Sequence, residues 1–240
     1  MRVILSILVW LVVALMSLLV CLVSVICAVT LFPFDRHRKF AHSLGYWWAE
    51  VIFAVNPFWS LHISGLQHFN PQKTYIITAN HQSMFDIVLL YKMHRQFKWV
   101  AKENLFSIPI FGWAMSLAKH IRLTRGKHGS IKEAYDQAAG FLRQGISVLF
   151  FPEGTRSLTN ELNPFKNGAF KLAIEEKKPV LPVCLNGTRD IVRKGGFFVN
   201  VKASCTLKVL PAIETKDLLP EDFATLRDSV RNKLAENLTA

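Results

Sequence analysis

Between Val3 and Leu31 the chain carries no charged side chain, and Leu, Val and Ile dominate the run. About 20 apolar residues suffice to cross a bilayer core, so this stretch is long enough to span it with tilt. A cleaved leader would have an apolar region of about 7–15 residues closed by a small-x-small site. Here the run is about twice that length, and its late candidate site, Ile26-Cys27-Ala28, carries a bulky Ile. The expectation is an uncleaved anchor. Arg36, Arg38 and Lys39 follow the run, against Arg2 before it, so the positive-inside tendency places the rest of the chain in the cytoplasm. Residues 1–35 are therefore read as a transmembrane, membrane-anchoring segment, expected in a bacterial inner membrane with the following domain on its cytoplasmic face.

Net charge is +12, and every charged residue except Arg2 lies beyond the apolar run. A basic domain beside a bilayer is drawn to an anionic leaflet by about 1 kcal/mol per basic residue near the surface. The same bias would attract acidic small molecules, and it is also compatible with a plain solvated surface. Cys21 and Cys27 lie in the anchor, while Cys184 and Cys205 stand alone in apolar contexts. Without a CxxC or Cys/His ligand spacing, neither a disulfide framework nor a metal site is expected.

After the anchor, Leu44, Trp47, Trp48, Val51 and Val55 recur at helical spacing. Trp favours the membrane–water interface, which suggests a helix lying in the headgroup layer; an ordinary core helix would show a similar stripe. Residues 36–66 are assigned to this helix and its connection. Asn56-Pro57 ends the helix. Short strands and helices then alternate: strands over Tyr75–Thr78, Phe97–Ala101, Ile146–Phe151, Val180–Leu185 and Ala203–Val209, and helices from Ser83, Ile110, Ser130 and Ala169. Ser130 and Glu133 form a capping-box pattern at the start of a helix running to about Arg143, and Pro220 opens a last surface helix. Such alternation predicts an α/β domain over residues 67–240, with a mostly parallel central sheet flanked by helices. Ligands of such sheets bind at the carboxyl ends of the strands.

Two segments that follow predicted strands are crowded with reactive side chains. In Asn80-His81-Gln82-Ser83-Met84-Phe85-Asp86 four residues separate the histidine from the aspartate. With His81 in the turn and Asp86 in the first turns of a helix, the carboxylate can fold back onto the imidazole. An imidazole so held is equipped as a general base near neutral pH. Taken alone the spacing is a weak signal, and a helix-starting Asp beside a turn His would look the same. The second segment is Phe150-Phe151-Pro152-Glu153-Gly154-Thr155-Arg156. Gly154 lets backbone approach a ligand, Thr155 offers a hydroxyl, and Arg156 can grip a phosphate with two parallel bonds. A polar turn with Glu153 and Arg156 in water is the plainer reading.

Together, Asn-His-x4-Asp and, roughly seventy residues on, Phe-Pro-Glu-Gly-Thr-Arg resemble the 1-acylglycerol-3-phosphate acyltransferase family over most of Tyr75–Thr188. Lys102 and Glu103 match its Lys-x-Glu region, Pro109 to Gly112 the turn after it, and Arg125 the basic residue of its second block. Pro179 to Val183 match its Pro-Val strand, and Lys166 and Gly168 a Lys-x-Gly element. The chain departs from the family in Lys119-His120-Ile121-Arg122-Leu123-Thr124-Arg125, where many members have Gly for Lys119 and Phe for Arg122; this puts the exact acceptor in doubt.

The resemblance implies acyl transfer from acyl-coenzyme A or acyl carrier protein to the free hydroxyl of a lysophospholipid, giving phosphatidic acid when the acceptor is lysophosphatidic acid. His81 and Asp86 would be catalytic. Lys102, Arg125, Glu153, Gly154, Thr155 and Arg156 would bind substrate, Glu153 through a cation or the glycerol. No cofactor and no nucleic-acid partner is expected. His120 lies beside the second block; His37, His42, His62, His68, His94 and His128 receive no role. The rival readings are another lysolipid acceptor, a hydrolase, or a non-catalytic basic binder of anionic lipid or nucleic acid. A Gly-x-Ser-x-Gly elbow and a P-loop are both absent from the sequence, and the binder reading leaves the His81/Asp86 pair unexplained.

Overall fold

The computed structural model describes residues 2–31, 34–124, 126, 128–159 and 161–239. Among the described residues the strands are β1 (Trp59–Ser64), β2 (Ile76–Ala79), β3 (Lys98–Lys102), β4 (Ile121–Leu123), β5 (Val148–Phe150), β6 (Val180–Asn186) and β7 (Ala203–Val209). They form a seven-stranded sheet in the order β1-β7-β6-β2-β5-β3-β4. β2 pairs in parallel with both β5 and β6, and β3 in parallel with β5 and β4. β6 and β7 run antiparallel, so the sheet is mostly, not wholly, parallel. The centre of the sheet is apolar in both directions, as a strand covered on two faces must be: all four residues of β2 and all seven of β6 are buried.

Alternation along the strands divides the core in two. Ile77 and Ala79 of β2, with Leu181, Val183 and Leu185 of β6, face one side; Ile76, Val180 and Cys184 face the other. The first side is covered by α1 (Arg2–Thr30), α2 (Lys39–Ala54), α3 (Asp86–Tyr91) and, beyond the short α4 (Glu103–Phe106), α5 (Phe111–Leu117). The second is covered by α6 (His128–Arg143), α7 (Gly168–Glu175) and α9 (Phe223–Ala235); a short α8 (Thr188–Ile191) follows β6 and buries Ile191 on the first side. Leu226, Val230 and Leu234 of α9 are buried at helical spacing, so the last helix is part of the core and not only a surface element.

The 29 residues of α1 are long and apolar enough to cross a membrane, and its outer face exposes Ile4, Ile7, Leu11, Leu15, Leu22, Ile26 and Val29. An exposed apolar face of that length fits membrane association. The opposite face is small and polar. Ser6, Val9, Ser17, Cys21 and Ser24 are buried, and the Ser17 hydroxyl accepts the Trp48 indole N–H at 3.1 Å. Within α2, Trp48, Ala49, Ile52 and Phe53 enter the core while Trp47 remains 72% exposed. The core-helix reading thus describes one face of this helix, and the other face exposes Trp47. β1 lies inside residues 36–66 and pairs with β7, so the sheet begins before residue 67.

Two local expectations are corrected. The helix α6 starts at His128, ahead of Ser130, whose hydroxyl accepts the Thr124 N–H at 2.9 Å and closes the loop instead of capping. The helix expected from Ser83 starts at Asp86; the turn before it is held by the Gln82 and Ser83 N–H groups on the Asp86 side chain and by the Phe85 N–H on the Ser83 hydroxyl.

Behind α2, β3 carries Lys98, 1% exposed, whose ammonium donates to the Ala118 carbonyl at 2.6 Å and lies 5.8 Å from the Phe141 ring centre. Beside it His120 shares a hydrogen bond with the Tyr91 hydroxyl at 2.9 Å. Desolvation holds His42 down to about 3 and His120 well below its ordinary value, so both are neutral parts of the core. Desolvation also pulls Lys98 down to about 7, against about 10.4 for a free lysine. Between those values the unfolded chain binds the extra proton, so this residue makes stability rise with pH from 7 to about 10.4. Lys98→Met should therefore raise the thermal midpoint in detergent at pH 7, and its advantage over wild type should shrink as pH is raised towards 10; an advantage independent of pH would contradict this.

Candidate active site

Parallel pairing of β6, β2, β5 and β3 puts the carboxyl ends of these strands on one edge of the sheet, the edge where such sheets bind ligands. His81 follows β2, Glu153 to Arg156 follow β5, Lys102 ends β3, and Thr188 follows β6. Residues far apart in sequence meet there because their strands are neighbours.

Asp86 is the centre of the arrangement and is fully buried. Its Oδ2 lies 2.6 Å from His81 Nδ1 and accepts the backbone N–H groups of Gln82 at 2.7 Å and Ser83 at 3.0 Å. Its Oδ1 accepts the Thr188 hydroxyl. A carboxylate accepts and does not donate, so His81 Nδ1 carries the proton in this pair, and Nε2 is the nitrogen not engaged by Asp86. The side chain of His81 is 20% exposed and its ring stacks on Phe151, with centres 4.1 Å apart and planes at 21°. Tautomer and ring plane are both fixed. This is the arrangement a general base requires.

Glu153 takes a different position from the expected one. It is 4% exposed; Oε1 accepts the His81 backbone N–H at 2.8 Å, and Oε2 accepts the Asn163 backbone N–H and side-chain amide, each at 2.9 Å. Desolvation raises its pKa, opposed by these bonds. With its oxygens so engaged, Glu153 braces the turn that carries His81. The Ser157 N–H donates to the His81 carbonyl at 2.8 Å, a second tie between the two motifs.

The remaining residues of the turn are more open. Gly154 has φ +69°, and a Cβ there would meet only Lys166 Cγ, at 3.9 Å; the glycine is needed for its backbone conformation, not for space. Thr155 and the neighbouring carbonyl of Arg156 accept the Lys194 ammonium at 3.2 and 3.0 Å. Lys102 is exposed at the end of β3. Next to it the Glu103 carboxylate accepts the Thr124 hydroxyl at 2.8 Å, joining the ends of β3 and β4. Arg125 lies outside the described residues.

Sequence reasoning missed Thr188, Asn163, Asn80 and Lys194. Asn80 clamps β2 to β6, donating to the Leu185 carbonyl and accepting the Leu185 N–H, each at 2.8 Å. Thr188 reaches Asp86 because Gly187 turns the chain at φ +79°, where a Cβ would lie 2.0 Å from the Ser204 carbonyl oxygen. Its signal was present: like His81 and Glu153, it follows the end of a buried strand.

The Acyltransferase family model matches residues 60–186, a span that holds both motifs. The chain belongs to the acyltransferase family. It is 34% identical over 207 residues to 1-acyl-sn-glycerol-3-phosphate acyltransferase BAT2, chloroplastic, of Brassica napus, an alignment covering 85% of this chain and 58% of the relative. With the mouse 1-acyl-sn-glycerol-3-phosphate acyltransferase alpha it shares 32% identity over 174 residues, 72% of this chain and 61% of the relative. The chain thus spans little more than half the length of these curated acyltransferases. The crystal structure of the 1-acyl-sn-glycerophosphate (LPA) acyltransferase PlsC from Thermotoga maritima superposes with a TM-score of 0.84, covering 98% of this chain and 93% of that one. At 23% identity that likeness speaks for the fold alone.

Thr188→Val should lower kcat by roughly 10–100-fold, the worth of one hydrogen bond to a buried charge, with little change in KM. The measurement is steady-state transfer by the purified variant, with unfolding in detergent followed in parallel. Equal kcat for Val and Thr would remove this residue from the catalytic support.

Proposed function

We propose that this acyltransferase moves a fatty acyl group from an acyl thioester to the free hydroxyl of 1-acylglycerol-3-phosphate, giving phosphatidic acid. The observation that carries the reading is the His81–Asp86 pair at the strand-end edge, with the His81 backbone bonded to Glu153 of the second motif. The names of the relatives support the acceptor: they act as 1-acyl-sn-glycerol-3-phosphate acyltransferases.

In this reading Nε2 takes the acceptor hydroxyl proton while the oxygen attacks the thioester carbonyl. The tetrahedral adduct collapses with cleavage of the C–S bond, and the imidazolium, stabilised by Asp86, returns the proton to the departing thiolate. Transfer is direct, with no acyl-enzyme. Lys102, Arg125 and Arg156 hold the acceptor phosphate, and guanidinium groups suit it because they can bond two oxygens at once. The donor is acyl-coenzyme A or acyl carrier protein, either of which is acidic and suits the +12 chain. The chemistry draws on these side chains and needs no metal or cofactor.

We further propose that α1 lies along one leaflet, with the domain on the cytoplasmic face of a bacterial inner membrane. Support comes from polar ties along the helix: Ser6 to Val199, Trp10 to Phe197, Ser17 to Trp48 and the Ala28 carbonyl to Arg38. A helix fastened to its domain from end to end cannot stand upright in the bilayer without dragging polar strand ends into hydrocarbon. Lying flat with its apolar face down satisfies both.

Purified membranes containing the protein, given lysophosphatidic acid with acyl-coenzyme A and in parallel with acyl carrier protein thioester, should form phosphatidic acid from at least one donor. Transfer to other lysolipids but not to this acceptor would overturn the substrate assignment.

A further inference from the structure

The segment from Val192 to Asn200, between α8 and β7, reads Arg193-Lys194-Gly195-Gly196-Phe197-Phe198 at its centre. Phe197 and Phe198 are 56% and 50% exposed. They are nonetheless firmly held. The Phe197 ring stacks on Trp10 with centres 5.8 Å apart, and its carbonyl accepts the Trp10 indole N–H at 2.7 Å. The Arg2 guanidinium lies 5.8 Å from the Phe198 ring centre, and the Val199 N–H donates to Ser6 Oγ at 2.8 Å. Three consecutive residues are thus fastened to the first turns of α1. The outer face of those turns is Val3, Ile4, Ile7, Leu8 and Leu11, each between 46% and 72% exposed. The aromatic pair extends that face sideways.

The other side of the same segment touches the catalytic turns. Lys194 donates to Thr155 and to the Arg156 carbonyl, and the Val192 carbonyl accepts the Ser83 hydroxyl at 2.8 Å. A single stretch of chain therefore joins the apolar helix to both motifs of the site.

We infer that residues 193–198 form a lipid-contacting arm, with Phe197 and Phe198 inserted into the anionic leaflet beside α1 and Arg2 and Arg193 at the headgroup phosphates. Continuity with the apolar face of α1, aromatic side chains at its margin and basic residues at the rim fit a lipid surface. Through Lys194 the arm holds the Thr155–Arg156 turn at the leaflet, where a lysolipid headgroup emerges; this last clause rests on the proposed acyl transfer.

Two measurements test it on the full chain. For the first, cysteine replaces Phe198 in a Cys27→Ala background, the other three cysteines being buried. An environment-sensitive fluorophore at that position, in phosphatidylcholine vesicles containing phosphatidylglycerol, should be blue-shifted and quenched by nitroxide on the lipid chains as strongly as a label replacing Ile4. A label replacing exposed Lys177, just before β6 at the opposite sheet edge, serves as the water-facing control. A label at 198 that behaves like the one at 177 overturns the arm, as does self-quenching without nitroxide quenching, which would mean a second copy covers the site. For the second, the double variant Phe197→Ser, Phe198→Ser should transfer to vesicle-borne lysophosphatidic acid about tenfold more slowly, the scale of one lost buried aromatic. Its rate with a short-chain, monomeric acceptor should be unchanged. Equal loss with both acceptors, or no loss with either, contradicts the coupling. A wild type inactive on every acceptor would refute the proposed function while leaving the quenching result to stand.

Discussion

A buried carboxylate is expensive unless its oxygens find donors, and the Asp86 side chain meets that condition with four donors from two separate stretches of chain, 81–83 and Thr188. The imidazole of His81 and two backbone N–H groups converge on one oxygen, and the Thr188 hydroxyl occupies the other. Those donors can converge only if β6 lies beside β2, which is the strand order of the sheet. Glu153 repeats the device one strand away, satisfying backbone from the His81 turn and from Asn163. Two buried carboxylates therefore hold the histidine, one by its side chain and one by its backbone. The His81–Asp86 pair, catalytic in the proposed function, is held by surroundings that are already bonded before any substrate arrives.

The helical layer over one face of the sheet serves two surroundings at once. Its inner side supplies core through Trp48, Ile52 and the fully buried α3. On the other side it offers Ile4, Leu15, Val29 and Trp47 to an apolar environment. Serine at the inner face of α1 lets two helices approach closely and accept hydrogen bonds, as small residues do in bilayer helices. Membrane attachment and folding are thus not separable properties of α1; the same helix contributes to both.

Much of this was legible in the sequence. The uncharged run over Val3–Leu31, the strand–helix alternation and the two motifs after strands each have a local cause that a single chain displays. What was not legible depends on which strands become neighbours. Nothing near Thr188 in the chain indicates that it would bond Asp86, and Glu153 looks like a solvent-facing turn residue until its N–H partners are seen. β1 was legible too, since Trp59, Leu61 and Ile63 alternate with Ser60, His62 and Ser64, although these residues are assigned to the connection before the domain; its pairing with β7, 144 residues on, was not. Ser130 and Glu133 showed a genuine capping pattern, overridden when tertiary contact with Thr124 claimed the serine hydroxyl.

The central claim is that His81 Nε2 is the base, and His81→Ala tests it most directly. With the variant purified alongside wild type and shown to bind membranes and unfold at a similar temperature, acyl transfer to lysophosphatidic acid should fall by roughly 10²–10⁴-fold. Retention of wild-type activity in a variant that has lost this imidazole would contradict the account.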